Sequence, residues 1–399
     1  MNQTKNIVRL AFVTLGITAA GAVHAQQSPY YIGASQTFTH DSNLFRLADG
    51  AALPVGAVSR SDTISTTSLL AGIDQPIGRQ RLFGDVAIRH NRFADNDQLD
   101  NTGYGVGLGI DWATVNQLSG TVSYTASQTL SSFADGVGSI TAPNKERSQQ
   151  FLARGRLGGA SLLSAEATYI FRKRDYSAAT PAAQANEFDQ NSLGLGLLYR
   201  PSGLLTLGTG VRHTRGSFDA LADDFDRNDL DLTAVWVPSG LSKVAARLSY
   251  SKEEHDVPAV ATLRDFSGVT GSLTWEYKPT GKLTFITDLI RDTGAEAGFD
   301  GFTFNNTNPA GNNSQVTSAA RVRAHWDATA KIGVDAGARY AERKLLGGGD
   351  DKTGTLTLAA NYLATRNILL GCQLAHEKRG GSTSYTANTA GCSAQVTLR

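Results

Sequence analysis

The side chains best placed to do chemistry are arginines that recur on alternate residues. Arg89, Arg154, Arg156, Arg172, Arg174, Arg212, Arg247, Arg321, Arg323, Arg339 and Arg343 fall on the polar parity of short alternating segments, and Asp85, Glu166, Asp288, Asp327 and Asp335 share it. A guanidinium stays charged and presents a planar fork of donors that fits a carboxylate or sulfate. Rings of such charge around a wet interior set the selectivity of a pore. The plainer reading is that a wide interior is solvated by paired charges, with the acids offsetting the arginines. Arg321 and Arg323 on one segment and Arg339 and Arg343 on the next are expected to form a basic strip.

These arginines need elements that separate two faces cleanly. In Val269–Lys278 the odd residues are Val269, Gly271, Leu273, Trp275 and Tyr277, and the even ones are Thr270, Ser272, Thr274, Glu276 and Lys278. Leu163–Arg174 and Val316–Ala328 divide in the same way. Side chains alternate along a strand, so parity identifies the faces. A turn recurs at the strand ends: Tyr199-Arg-Pro-Ser-Gly203, Trp236-Val-Pro-Ser-Gly240 and Tyr277-Lys-Pro-Thr-Gly281. Trp112, Trp326 and Tyr362 fill the same slot before their own turns. Tight turns at one end and an aromatic girdle at each interface are features of outer-membrane barrels. The expected fold is all-β, a transmembrane antiparallel up-and-down barrel of about eighteen strands, within 16–18.

The strands are expected to start near Tyr30, Thr63, Arg81, Gly103, Leu118, Gln149, Leu162, Asn191, Leu204, Leu230, Lys243, Ser267, Lys282, Val316, Lys331, Thr353, Ile368 and Ser384. Phe45–Asp62, Leu130–Arg147, Ser177–Phe188 and Ala295–Gln315 read as long extracellular loops, with both termini periplasmic. Either Phe45–Asp62 or Ala295–Gln315 is expected to be able to fold inward and narrow the pore.

Residues 1–25 read as a signal peptide. Lys5 and Arg9 precede an apolar run from Ile7 to Ala20, and Val23-His24-Ala25 suits cleavage. Residues 26–399 then form one barrel domain. Without Lys5 and Arg9 there are 35 basic and 36 acidic residues, which points away from nucleic acid. No other run approaches the ~18 apolar residues of a membrane helix.

Cys372 and Cys392 lie equally far from a hairpin centre near Ser382, with matching parity. Antiparallel pairing places them opposite each other, so a disulfide is expected in an oxidising periplasm. No metal site or cofactor is expected, since the histidines are scattered and two cysteines supply too few ligands. Gly105-Val-Gly-Leu-Gly109 reads as strand rather than as a nucleotide-binding turn, which would need a helix after it. His40 and Ser42 share a strand face, the minimum for a base and nucleophile, and define a rival reading as an outer-membrane lipid hydrolase. Asp223–Asp231 reads as a solvated acidic loop, with contact to lipopolysaccharide through divalent cations as its functional alternative.

The segment Tyr31-Ile-Gly-Ala-Ser-Gln-Thr-Phe-Thr-His-Asp-Ser-Asn-Leu-Phe-Arg46 resembles the EpsL family of exopolysaccharide-operon, exosortase-associated outer-membrane proteins, within a broader group of β-barrel porins. Leu363-Ala-Thr-Arg-Asn-Ile-Leu-Leu-Gly-Cys372 and Ala390-Gly-Cys392 are similar to it as well. The resemblance implies a non-enzymatic channel in the outer membrane of a Gram-negative bacterium, serving exopolysaccharide biosynthesis or export. Its partners would be polysaccharide, outer-membrane lipid and lipopolysaccharide, and periplasmic export components. The alternative is a general diffusion porin. Terminal Arg399 departs from the aromatic ending usual in barrels.

Overall fold

The computed structural model describes residues 28–293 and 314–399, apart from positions 116, 135, 160, 347, 382 and 383. The expected signal peptide and nearly all of the Ala295–Gln315 loop lie outside the described residues. Eighteen strands follow in order. The first six are β1 (Tyr30–Asp41), β2 (Asp62–Ile77), β3 (Gln80–Phe93), β4 (Asn101–Ala113), β5 (Leu118–Leu130) and β6 (Lys145–Leu157). Next come β7 (Leu163–Tyr176), β8 (Phe188–Tyr199), β9 (Leu205–Phe218), β10 (Asp223–Ser239), β11 (Ser242–His255) and β12 (Phe266–Thr280). The last six are β13 (Leu283–Thr293), β14 (Ser314–Asp327), β15 (Ile332–Leu345), β16 (Asp350–Leu363), β17 (Ile368–Gly380) and β18 (Tyr385–Leu398). Two short helices, α1 (Pro181–Gln184) and α2 (Pro258–Arg264), lie in loops.

Each strand pairs antiparallel with its neighbours in sequence, and β1 pairs with β18 from Ile32↔Leu398 to Asp41↔Thr389. The sheet therefore closes on itself and leaves no unpaired edge, as a hydrocarbon environment demands of a β-structure. Strands of 11 to 17 residues meet or exceed the ~9–11 needed to cross a bilayer at a tilt. The strand starts agree with the sequence expectation to within a few residues, except at β10, which begins at Asp223 instead of Leu230.

Residues of apolar parity face outward. Leu195, Leu197, Leu230, Leu248 and Leu289 are exposed on the outer wall, as are Tyr199, Trp236, Trp326 and Tyr362 before the tight turns. Trp112 and Tyr277 hold the same positions half-buried. Proline has no N–H to give the ladder, so it is tolerated only at edges or irregularities. Pro238 and Pro279 accordingly fall where the pairing shifts register, between Trp236 and Ser239 and between Tyr277 and Thr280. Gly78, with φ +61°, makes the two-residue link from β2 to β3. One end of the barrel carries only links of two to five residues, and all the longer links lie at the other, together with the four-residue links after β9, β15 and β17.

Candidate functional site: the charged lumen

The eleven arginines singled out above lie on the inner face of their strands. They do not form one continuous strip. On β6, Arg154 and Arg156 share a single acid on β7, with Arg154 Nε 3.7 Å from Glu166 Oε1 and Arg156 Nη2 2.5 Å from Oε2. On β14, Arg321 and Arg323 share Asp288 of β13, with Nη2 to Oδ2 distances of 2.9 and 3.2 Å. Arg321 lies directly across the ladder from Arg339 of β15. Arg339 is buried, and its Nε and Nη1 make no hydrogen bond; the Nε atoms of Arg154 and Arg323 are also enclosed without a hydrogen bond. Arg343 bonds Asp351 at 3.4 Å, and Arg379 of β17 meets the same carboxylate. Arg172 donates to Gln150 and Arg174 pairs with Glu146 at 3.3 Å. Arg89 shares the inner face of β3 with Asp85.

A second cluster forms where an acidic loop is expected. Asp223–Asp231 is the upper part of β10, and the loop reading is corrected. Aspartate is a poor strand former, which is why this run reads as a loop. In the barrel its inward row is neutralised. Arg227, fully buried, contacts Asp229 at 2.9 Å, Asp292 of β13 at 2.8 Å and Glu253 of β11 at 3.6 Å. Arg212, directly across from Asp229, contacts it at 3.1 Å and Asp231 at 3.5 Å. Arg247 reaches Asp292 at 3.0 Å. Asp223 is held by His255 Nδ1 at 2.7 Å.

The mouth is narrowed by loops. Leu44 and Phe45 of the β1–β2 loop pack inward on Phe93 and Leu99, and Phe45 meets Phe133 of the β5–β6 loop edge-on at 5.0 Å. The inward folding expected for Phe45–Asp62 is therefore observed. The β5–β6 loop was not among the expected gates, yet it reaches farthest: Arg379 donates to Ala134 O at 2.7 Å. The strands concerned, β17 and β5, stand six places apart around the barrel. Gln98 donates to both Gly56 O and Ile140 O, which ties three loops together. Arg46 pairs with Asp41 at 2.9 Å and Glu377 at 3.4 Å. Burial disfavours its charge, but those two acids outweigh burial and raise its pKa. On the far side, Phe188, Phe218 and Phe225 cluster, and Arg264 of α2 sits 4.3 Å over the Phe218 ring, with burial lowering its pKa.

Arg46, Arg227, Arg264 and Arg379 belong to these clusters, and sequence parity misses them. Arg379 carries a usable signal, since it shares parity with Glu377 on β17. The other three lie in segments that read as loops.

Cys372 and Cys392 are bonded, directly opposite each other across β17 and β18 with Cα atoms 4.0 Å apart. His40 and Ser42 do not form a dyad. His40 Nδ1 meets Thr63 Oγ1, and Ser42 Oγ accepts from Asn388 N at 2.8 Å. Asn388 does orient a histidine, but it is His376, at 2.7 Å. Asp327 and Asp335, expected to balance the β14–β15 arginines, instead hold His325 at 3.3 and 2.7 Å. Among the described residues, no group of three or more His, Cys, Asp or Glu is placed to hold a metal ion.

No protein-family model and no curated protein matches the chain. Among solved structures it is similar to the outer membrane protein OpdK from Pseudomonas aeruginosa, at 13% identity and a TM-score of 0.49 over 92% of this chain and 98% of that one. It is also similar to Pseudomonas aeruginosa OccK2 (OpdF) in complex with glucuronate, at 14% identity and 0.49, over 93% of this chain and 96% of that one. A BenF-like porin from Pseudomonas fluorescens Pf-5 matches at 14% identity and 0.47, over 92% and 98%. None of the three is described as an exopolysaccharide-operon protein.

Proposed function

We propose that this chain is an outer-membrane channel of a Gram-negative bacterium that passes small polar solutes and prefers anions. The carrying observation is the sharing of one carboxylate by two guanidiniums at Glu166 and again at Asp288, with the Arg154 and Arg323 side chains left 40% and 38% exposed. Each shared acid leaves one positive charge on the wall. Partly exposed guanidiniums on β6 and β14, eight places apart in the ring, offer an anion contacts from two sides. A barrel of this strand number is wide enough for an aqueous path, where eight strands are filled by side chains.

The general-porin reading suits the mouth better than the exopolysaccharide conduit implied by the resemblance at the chain ends. A continuous polymer needs an open bore, whereas the loops here meet across the entrance. Liposome swelling with neutral sugars and sugar acids of rising size separates the two. Entry of mono- and disaccharides, faster for the acids, with no passage of long chains, is the expected result. Passage or tight blockade by an exopolysaccharide, with monosaccharides excluded, would restore the conduit reading.

A further inference from the structure

The outer wall from β16 to β1 carries a recess of about 440 Å³ lined by Leu358, Leu374, His376, Asn388, His40 and Ser42, among others. The register explains its form. Ser42, Asn388, His376 and Leu356 lie in one row across four strands, since Ser42 and Asn388 are bonded through their backbones, His376 pairs with Asn388 and Leu356 pairs with His376. The row below is His40, Ala390, Leu374 and Leu358, and the next is Phe38, Cys392, Cys372 and Ala360. On β18 the outward residues Ala390, Cys392 and Ala394 are small, while Phe38 and Leu374 stand exposed on either side. The result is a polar shelf over an apolar trough. Lys378 stands exposed two residues above His376 on the same face.

The shelf is rich in donors and holds one fixed positive charge, Lys378. His40, His376 and Lys378 face outward, and among the described residues no carboxylate forms an ion pair with any of them. The nearby outward acid Glu342 is engaged by Lys352 at 3.8 Å. Among the described residues, Thr63 and Asn388 meet only Nδ1 of His40 and of His376, and no acceptor meets either Nε2.

We propose that this recess binds a phosphorylated glucosamine lipid of the outer leaflet. Its phosphate would lie between His40, His376 and Lys378, and one acyl chain would run down the Ala390–Cys392–Ala394 trough. A donor-rich shelf over an apolar slot matches an amphiphile whose anionic head sits at the interface. This rests on the reading that the barrel spans a membrane with its long loops outward.

The test uses the full-length barrel in micelles, by native mass spectrometry, with diphosphoryl lipid A, phosphatidylglycerol and phosphatidylcholine added separately. One lipid A per barrel should be retained at least tenfold more strongly than phosphatidylcholine. A triple His40→Gln, His376→Gln and Lys378→Gln variant should lose that preference by tenfold or more. His213→Gln with Arg215→Gln, outward on the distant β9, should leave it unchanged. Equal retention of lipid A and phosphatidylcholine, no effect of the triple variant, or dimers in place of lipid adducts would each overturn the site. Phosphatidylglycerol bound as tightly as lipid A would overturn the choice of lipid. Heat-modifiable gel mobility establishes that the variants fold. Conductance in planar bilayers separates the failures: a barrel that conducts yet shows no lipid preference loses only this site, whereas one that never inserts loses the membrane reading too.

Discussion

The lumen around Arg227 and the lumen around Asp288 are built from the same two kinds of side chain, with opposite results. Around Arg227, three arginines face four carboxylates, Asp229, Asp231, Glu253 and Asp292. Both Arg227 and Asp229 are fully enclosed. Around Asp288, one carboxylate serves two arginines, and the Arg323 side chain keeps 38% of its surface open. The first arrangement closes the wall, while the second leaves a donor facing the channel. Inner-face parity alone does not separate these roles; the ratio of bases to acids within each cluster does.

The largest expected effect comes from breaking the closed cluster. Arg227→Met removes the buried base that Asp229, Asp292 and Glu253 share and leaves Arg212 and Arg247 as their remaining arginines, and removing one partner of a buried ion pair costs about 3–5 kcal/mol. A urea unfolding titration of the refolded barrel should show that loss, with Arg323→Gln shifting stability by about 0.5 kcal/mol or less. Similar losses for the two variants would erase the distinction between the clusters.

The next effect tests the faces themselves. Leu273→Arg on the outer wall of β12 should cost roughly 2–4 kcal/mol if the position lies near the bilayer midplane. Its neighbour Thr274 faces inward and donates to Asp288. Thr274→Arg should therefore be far milder, and it adds a third base to the open cluster. Refolding into lipid vesicles with equal penalties would mean the faces are exchanged.

Serine at Cys372 and Cys392 should cost less than Arg227→Met and no more than Leu273→Arg. The bond spans 20 residues, for which chain entropy gives about 3 kcal/mol, with measured values often lower. The channel properties should be untouched, because both sulfurs sit on the outer wall, away from either cluster. A change in ion preference on reduction would connect the hairpin to the pore.

Alternation made the barrel legible. Every strand is recoverable from two-residue periodicity, and the aromatic–turn signature marks which end carries the short links. The disulfide is legible as well, because residues 372 and 392 are symmetric about position 382 once the last hairpin is antiparallel. Where the reading fails, tertiary context overrides propensity. Asp223–Asp231 looks like a loop because five aspartates in nine residues disfavour a strand, and only Arg212, Arg227, Arg247 and His255 on three strands make that row tolerable. Pairing across strands is likewise hidden from parity: Asp327 and Asp335 lie on the correct face to balance arginines, yet the register delivers them to His325. The crossing of the β5–β6 loop to Arg379 spans a third of the ring, and nothing local in either segment announces it.

The central claim, a channel biased toward anions by under-neutralised arginines, is tested most directly by reversal potential across a planar bilayer under a potassium chloride gradient. The wild-type barrel should show an anion-selective sign. Arg154→Gln with Arg323→Gln should move the potential toward cation selectivity, with conductance preserved and barrel stability nearly unchanged. A wild-type channel that prefers cations, or a double variant whose reversal potential matches wild type, would contradict the account and reduce these arginines to solvated wall charge.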